Sequence, residues 1–156
     1  MRAMGIRRIM VPLDYSDNSK IALAYGAELA LGFGASLDIV HVWDRPTYLT
    51  DAVMVQRPGE EHKPIGELIR ENAQHDMAEF LSQVSLPAAL SSTSRLISGE
   101  PASALLAELK KGEHDLVVLS THGRTGLAHL LLGSIAEKLV RLSPVPVLTV
   151  PVPGRG

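Results

Sequence analysis

Arg7-Arg8-Ile9-Met10-Val11-Pro12-Leu13-Asp14 is an almost unbroken apolar run that stops at an aspartate. A run that is apolar at consecutive positions predicts a strand buried on both faces, which is the habit of parallel sheets. Outward from it, Ser16 or Asp17 caps a helix in which Ile21, Ala24, Tyr25, Ala27 and Ala30 recur at helical spacing until Gly32 and Gly34 end it. Leu37 to Val42 reads as a second strand, Leu68 to Val84 as a second helix and Ser94 to Ile97 as a short third strand. Pro101 suits a helix's first turn and opens a third helix that closes near Lys110-Lys111-Gly112. Leu116 to Leu119 is a fourth buried strand. Gly133 to Leu142 is a fourth helix, stopped by Ser143-Pro144, and Val145 to Val150 is a fifth strand. This alternation predicts an α/β fold: an open, five-stranded parallel sheet of Rossmann-like type with helices on both faces. Such sheets bind ligands beyond the carboxyl ends of their strands, so chemistry is sought just after each strand.

Residues 43–65 hold Pro46, Pro58, Pro64 and mixed charges, and read as one long irregular segment. A loop of that length is expected to serve as a lid, a partner surface or a tip rather than as a second domain. The chain of 156 residues is therefore expected to form a single domain, 1–156, with 151–156 as a C-terminal tail. Aromatic residues are 4% of the chain against 46% apolar, so the core must be built from Ala, Leu, Val and Ile. Fifteen basic against 17 acidic residues leave a net charge of −2, which offers no field to recruit a polyanion; nucleic acid is not an expected partner. Without cysteine there are no disulfides, thiolate metal sites or Cys nucleophiles. No apolar stretch approaches the ~18 residues of a membrane span, and the run Ile9 to Leu13 is shorter than a signal-peptide core. The expectation is a cytoplasmic protein with no membrane partner.

After the fourth strand comes Ser120-Thr121-His122-Gly123-Arg124-Thr125-Gly126, and the following helix opens at Gly133-Ser134. Gly123 and Gly126 permit positive φ and close approach of a ligand to the backbone. The helix start offers free N–H groups and a dipole that favours an anion, and the Ser134 hydroxyl adds a donor. The residues fit a phosphate cradle; they fit equally a plain loop followed by a helix cap.

This stretch resembles the universal stress protein family. Its nucleotide-binding members share Gly-x2-Gly-x9-Gly-Ser/Thr after strand four, kept here as Ser120-x2-Gly123-x9-Gly133-Ser134. The likeness extends to Val11-Pro12-Leu13-Asp14 with Ser16 and Ser19, the His41-Val42 strand end, Gly99-Glu100-Pro101, and Ser143-Pro144-Val145-Pro146-Val147-Leu148. The resemblance implies a strand order of 3-2-1-4-5, as in adenine nucleotide α-hydrolase-like sheets, and a site for ATP, or ADP or AMP, with Mg as its companion. Adenine and ribose would then lie over Pro12, Leu13, Asp14 and Val40. The phosphates would lie over Leu119, Ser120, Gly123, Gly133, Ser134 and Ile135, with His122, Arg124 and Gly126 in the same loop. Asp14 suits a ribose diol because a carboxylate accepts two hydroxyl hydrogens at once, and it suits equally the capping of the first helix. Val40 is a core residue under either reading, His122 can equally satisfy loop backbone, and Arg124 can equally be a solvated loop arginine. The resemblance further implies a homodimer through the edge strand Val145 to Val150, and a sensor or regulator of the stress response with an unknown protein partner.

Two positions depart from the family pattern. Ser120 stands where the first glycine is expected, and Tyr15 where many members carry glycine. At position 120 serine is disfavoured if the backbone needs φ > 0; otherwise its hydroxyl is free to donate. No Lys follows a glycine loop as a Walker motif requires, no Gly-x-Ser-x-Gly elbow occurs, and the Ser-Gly-Gly-x-Asp-Ser loop of the α-hydrolases is replaced by Asp14-Tyr15-Ser16-Asp17. No two histidines stand at metal-ligand spacing, so no metal site is expected. Catalysis beyond weak ATP hydrolysis is not expected. The alternatives are a slow ATPase or phosphotransferase using Asp14, His122 or Arg124, and an interaction module in which Ser120 blocks the pocket.

Overall fold

The computed structural model of the chain describes residues 5–43, 52–122 and 132–153. Its main sheet contains β1 (Arg8–Leu13), β2 (Ser36–Trp43), β5 (Ser92–Ser98), β6 (Leu116–Ser120) and β7 (Val147–Val150). All four pairings in the sheet are parallel, in the order β5-β2-β1-β6-β7. Counting these five strands alone, the order is 3-2-1-4-5. The numbering differs because the segment expected to be irregular contains a two-stranded antiparallel hairpin, β3 (Met54–Val55) with β4 (Lys63–Pro64). Lys63 ties it to the following helix through Glu71 at 2.9 Å. Residues 44–51 of that segment lie outside the described residues.

The continuous apolar runs are explained by which side each residue faces. Ile9, Val11 and Leu13 of β1, Leu37 and Ile39 of β2, and Val118 of β6 enter one core, under α1 (Asp17–Phe33) and α2 (Ile65–Ser82). Met10, Val40, Val117 and Leu119 enter the other, under α3 (Pro101–Leu109) and α4 (Ser134–Leu142). Successive strand residues alternate sides, so a sheet covered on both must be apolar at nearly every position. Gly26 lets α1 approach β1 closely, since a Cβ there would stand 2.6 Å from Val11 Cγ2.

The boundaries follow local chemistry. Ser16 caps α1 by accepting from the Ser19 N–H, and Gly34 ends it at φ 64°. Helix α2 starts three residues earlier than the periodicity predicts, directly after Pro64. β7 starts at Val147 rather than Val145, because Pro144 and Pro146 have no N–H to give a ladder. No helix among the described residues is long and apolar enough to cross a membrane.

One polar residue interrupts the apolar β2. Asp38 is fully buried near the amino end of the strand. Its carboxylate accepts from Arg95 Nη2 at 2.8 Å and Nε at 3.1 Å and from Thr93 Oγ1 at 3.1 Å, and it meets buried His114 Nε2 at 2.7 Å. Arg8 stands at 3.4 Å, and Arg95 continues to Glu108 of α3 at 2.7 Å. Burial pushes the Asp38 carboxyl up, but hydrogen bonds from His114 and Arg95 and the charges of Arg95 and Arg8 outweigh it, holding the group well below the usual carboxylate range. A depressed folded-state pKa contributes stability that is present above the unfolded value of about 3.9 and is lost as pH falls below it. Asp38→Asn is expected to cost about 2 kcal/mol at pH 7, because it leaves the partly exposed Arg95 and Arg8 without the buried carboxylate they share. In urea unfolding from pH 7 to pH 3, the gap between wild type and variant should narrow below about pH 4.

Candidate functional site

At the carboxyl ends of the strands, where β1 and β6 diverge to opposite halves of the sheet, lies a cavity of about 310 Å³. This is the switch point at which α/β sheets bind ligands, and the volume is at the lower end of the ~300–1,000 Å³ usual for small-molecule sites. Its walls come from six elements and their adjoining turns, with Ser19 contributed by α1. Pro12, Leu13 and Asp14 end β1, His41 and Val42 end β2, and Leu119, Ser120 and Thr121 end β6. Pro101 and Leu105 of α3 form another wall, and Gly133, Ser134, Ile135 and Ala136 form the last, at the start of α4.

The polar groups are held in fixed directions. Asp14 Oδ1 accepts from Ser16 N at 3.0 Å, Ser16 Oγ at 2.5 Å and Ser19 Oγ at 2.5 Å. The Asp14 N–H in turn donates to Ser19 Oγ at 3.0 Å. Asp14 thus shapes the turn into α1 while Ser16 occupies the cap, and both residues expected of the helix start are used. Across the cavity, Glu100 caps α3 by accepting from the Ala102 and Ser103 N–H groups; the Ser103 hydroxyl is the largest of the influences holding its carboxyl below the ordinary value. Helix α4 starts from a Gly133 cap that contributes no side chain, and its first residues, Ser134, Ile135 and Ala136, line the cavity beside Ser120 and Thr121. The Gly133 N–H donates to Thr121 O at 2.6 Å, joining α4 to the end of β6.

Eight sequence-predicted residues are brought together here: Pro12, Leu13, Asp14, Leu119, Ser120, Gly133, Ser134 and Ile135. Val40 is fully buried beneath, among the core residues shared with Leu105 and Leu109; the residue of that same face lining the cavity is Val42, one pleat nearer the strand end. His122 does not line the cavity. Its Nδ1 lies 3.0 Å from Thr121 Oγ1, and its carbonyl accepts from Ser120 Oγ at 2.8 Å. Gly123, Arg124 and Gly126 lie outside the described residues. Sequence reasoning missed Leu105, Thr121 and Ala136 as wall residues. It took Ser19, His41, Val42 and Pro101 as marks of resemblance without assigning them to the site. Among the described residues no group of three or more His, Asp or Glu is placed to hold a metal ion.

The two departures from the family pattern resolve differently. Tyr15 is the one non-glycine residue at positive φ among the described residues, at 64°, so Ser120 carries no such strain. The Tyr15 ring stacks on His41 at 4.0 Å between centroids and tilts against Phe80 at 5.3 Å. His41 Nδ1 in turn lies 2.8 Å from Leu13 O. Tyr15 therefore buttresses a wall of the cavity from behind.

Fold and site together define a doubly wound α/β protein with a small cavity of mixed apolar and polar lining at its switch point. The universal stress protein family's sequence model matches residues 5–151, and the chain belongs to that family. It is 31% identical over 152 residues to Universal stress protein YxiE of Bacillus subtilis, covering 92% of this chain and 97% of that one. In structure it is similar to a universal stress protein solved in complex with cAMP, with TM-score 0.61, 25% identity and coverage of 94% and 97% of the two chains. It also shares its fold with a universal stress protein family protein from Arabidopsis thaliana with AMP bound, at TM-score 0.58 and 15% identity, over 95% of this chain and 93% of that one.

The Tyr15 geometry sets two terms against each other. A left-handed backbone costs a non-glycine residue about 1–2 kcal/mol. Burying an aromatic ring and stacking it are together worth about 2–4 kcal/mol. Tyr15→Gly is therefore expected to destabilise the protein by up to about 3 kcal/mol in urea unfolding, despite the relief of strain.

Proposed function

We propose that this universal stress protein binds an adenine nucleotide in the switch-point cavity and acts as a nucleotide-occupied regulator rather than as an enzyme of rapid turnover. The observation that carries the reading is the pairing, across one small cavity, of the Asp14 carboxylate with the start of α4 at Gly133-Ser134. Apolar Pro12, Val42, Pro101 and Leu105 suit a base, Asp14 suits a ribose diol, and the helix start with its Ser134 hydroxyl suits a phosphate. The cAMP and AMP carried by the two similar structures support the same ligand class. ATP or ADP would bring further charge, met by Arg124 and by a Mg ion held on the phosphates. No Lys follows a glycine loop as a Walker motif requires, so hydrolysis is expected to be slow if it occurs. Nucleotide regulates through differential affinity, since a ligand shifts only states that it binds unequally. Cytoplasmic residence and a protein partner belong to the same reading.

Thermal unfolding with 1 mM AMP or Mg-ATP, against Mg-GTP as control, tests it. For a Kd of about 10 μM, binding adds roughly 2.7 kcal/mol, which for this length raises Tm by about 5–10 °C. A rise with the adenine nucleotides and little with GTP is expected; no rise with either overturns the reading.

The proposal includes a homodimer through β7. This strand pairs with β6 alone among the described residues, and Leu148, Val140 and Leu142 are apolar and exposed on it and on α4 beside it. An open edge with an apolar face invites a second strand. Light scattering at micromolar concentration should give twice the 16.8 kDa chain mass, and a charge at Leu148 (Leu148→Lys) should return it to the monomer.

A further inference from the structure

The carbonyl oxygen of His122 accepts two side-chain donors from different elements. Ser120 Oγ reaches it at 2.8 Å from the end of β6, and Asn18 Nδ2 reaches it at 3.2 Å from the first turn of α1. Asn18 stands between Ser16 and Ser19 of the Asp14–Ser16–Ser19 cluster, and its link spans 104 residues of sequence. The chain just before His122 is pinned as well: the Thr121 N–H donates to Val150 O at 3.0 Å, and Thr121 O receives the Gly133 N–H. Thr121 and Ser120 line the cavity; Asn18 does not.

We infer that Asn18 is a positioning residue of the ligand cavity: with Ser120 it clamps the His122 carbonyl and so sets where the Ser120–Thr121 wall stands opposite Asp14. The inference rests on the adenine-nucleotide reading of the cavity, and it adds a residue that reaches no ligand itself. It also assigns the Ser120 hydroxyl. A serine where the family pattern has glycine supplies half of the clamp, and Asn18 supplies the other half from α1. One carbonyl with two lone pairs accepts both donors, so either one alone holds it less firmly.

The role separates from plain helix stability by a choice of variants. Asn18→Ala removes the donor. Asn18→Asp keeps the shape but can only accept, and it sets a carboxylate against the carbonyl; yet an acidic residue in a helix's first turn favours the helix dipole. The expected result is that both variants weaken AMP affinity about fivefold to tenfold by calorimetric titration, while Asn18→Asp keeps a Tm within about 2 °C of wild type. Ser120→Ala should weaken AMP to a similar degree. A structural role would move binding and Tm together. AMP affinity within twofold of wild type in both Asn18 variants overturns the inference.

A second measurement keeps the two proposals apart. The Gly133 amide donates to Thr121 O, so its hydrogen exchange reports on the clamped segment without any ligand. Exchange at least about fivefold faster in Asn18→Ala and Ser120→Ala supports the clamp, and unchanged exchange overturns it. If the wild-type protein binds neither AMP nor ATP, the nucleotide reading fails, and the exchange result still decides the placement of Asn18.

Discussion

Strand β1 is the constraint on which the rest of the structure is registered. All six of its residues pair with β2, Ile9 and Met10 pair also with β6, and its side chains alternate between the two cores. Every backbone group of such a strand must find a partner in the sheet, because no water reaches it. The fit of α1 onto Val11 at Gly26 then fixes the height of that helix above the sheet. A strand so completely used has one place where it can meet a ligand, its end. Leu13 and Asp14 leave the sheet where the connections from β1 and β6 run to opposite halves of it, so the cavity is a geometric consequence of the strand order.

The two ends of the sheet are treated in opposite ways. At the amino end, buried Asp38 collects Arg95, Arg8, His114 and Thr93, and Arg95 passes the linkage to Glu108 and Lys111. Charges there are satisfied by one another and join β1, β2, β5 and α3. At the carboxyl end, side chains instead satisfy the turns, as Asp14, Ser16 and Ser19 do at the start of α1. Buried ion clusters are an uncertain source of stability but a costly thing to break, which suits the closed end.

Much of this was legible in the sequence because it depends on local chemistry or on runs of residues. The consecutive apolar positions of β1, β2 and β6 announce two-faced burial, and Ser16, Gly34 and Pro101 announce helix ends. The class of fold and the family followed from these and from Ser120-x2-Gly123-x9-Gly133-Ser134. What escaped is what depends on distances across the chain. The choice of Val42 over Val40 needs the position of the cavity along β2, which side-chain alternation alone does not give. The β3–β4 hairpin rests on two residues in each strand, too short for any period to appear. Arg95 and Asp38 are 57 positions apart, and neither looks unusual in its own segment.

The substituted glycines carry the same lesson further. Serine at 120 invited the expectation of a blocked pocket if the backbone there needed φ > 0. The strain lies instead at Tyr15, fifteen residues into the chain, where the left-handed backbone turns the ring onto His41 and Phe80. A residue that costs backbone energy persists when its surroundings over-determine it. Here the ring is packed into the α1–α2 core while its partner His41 forms part of the cavity wall. Ser120, free of that cost, turns its hydroxyl back to the His122 carbonyl and leaves its place on the wall to the backbone. Glycine at a ligand site is thus replaceable where a side chain can be folded into neighbouring hydrogen bonding, and the departure from the pattern does not by itself close the cavity.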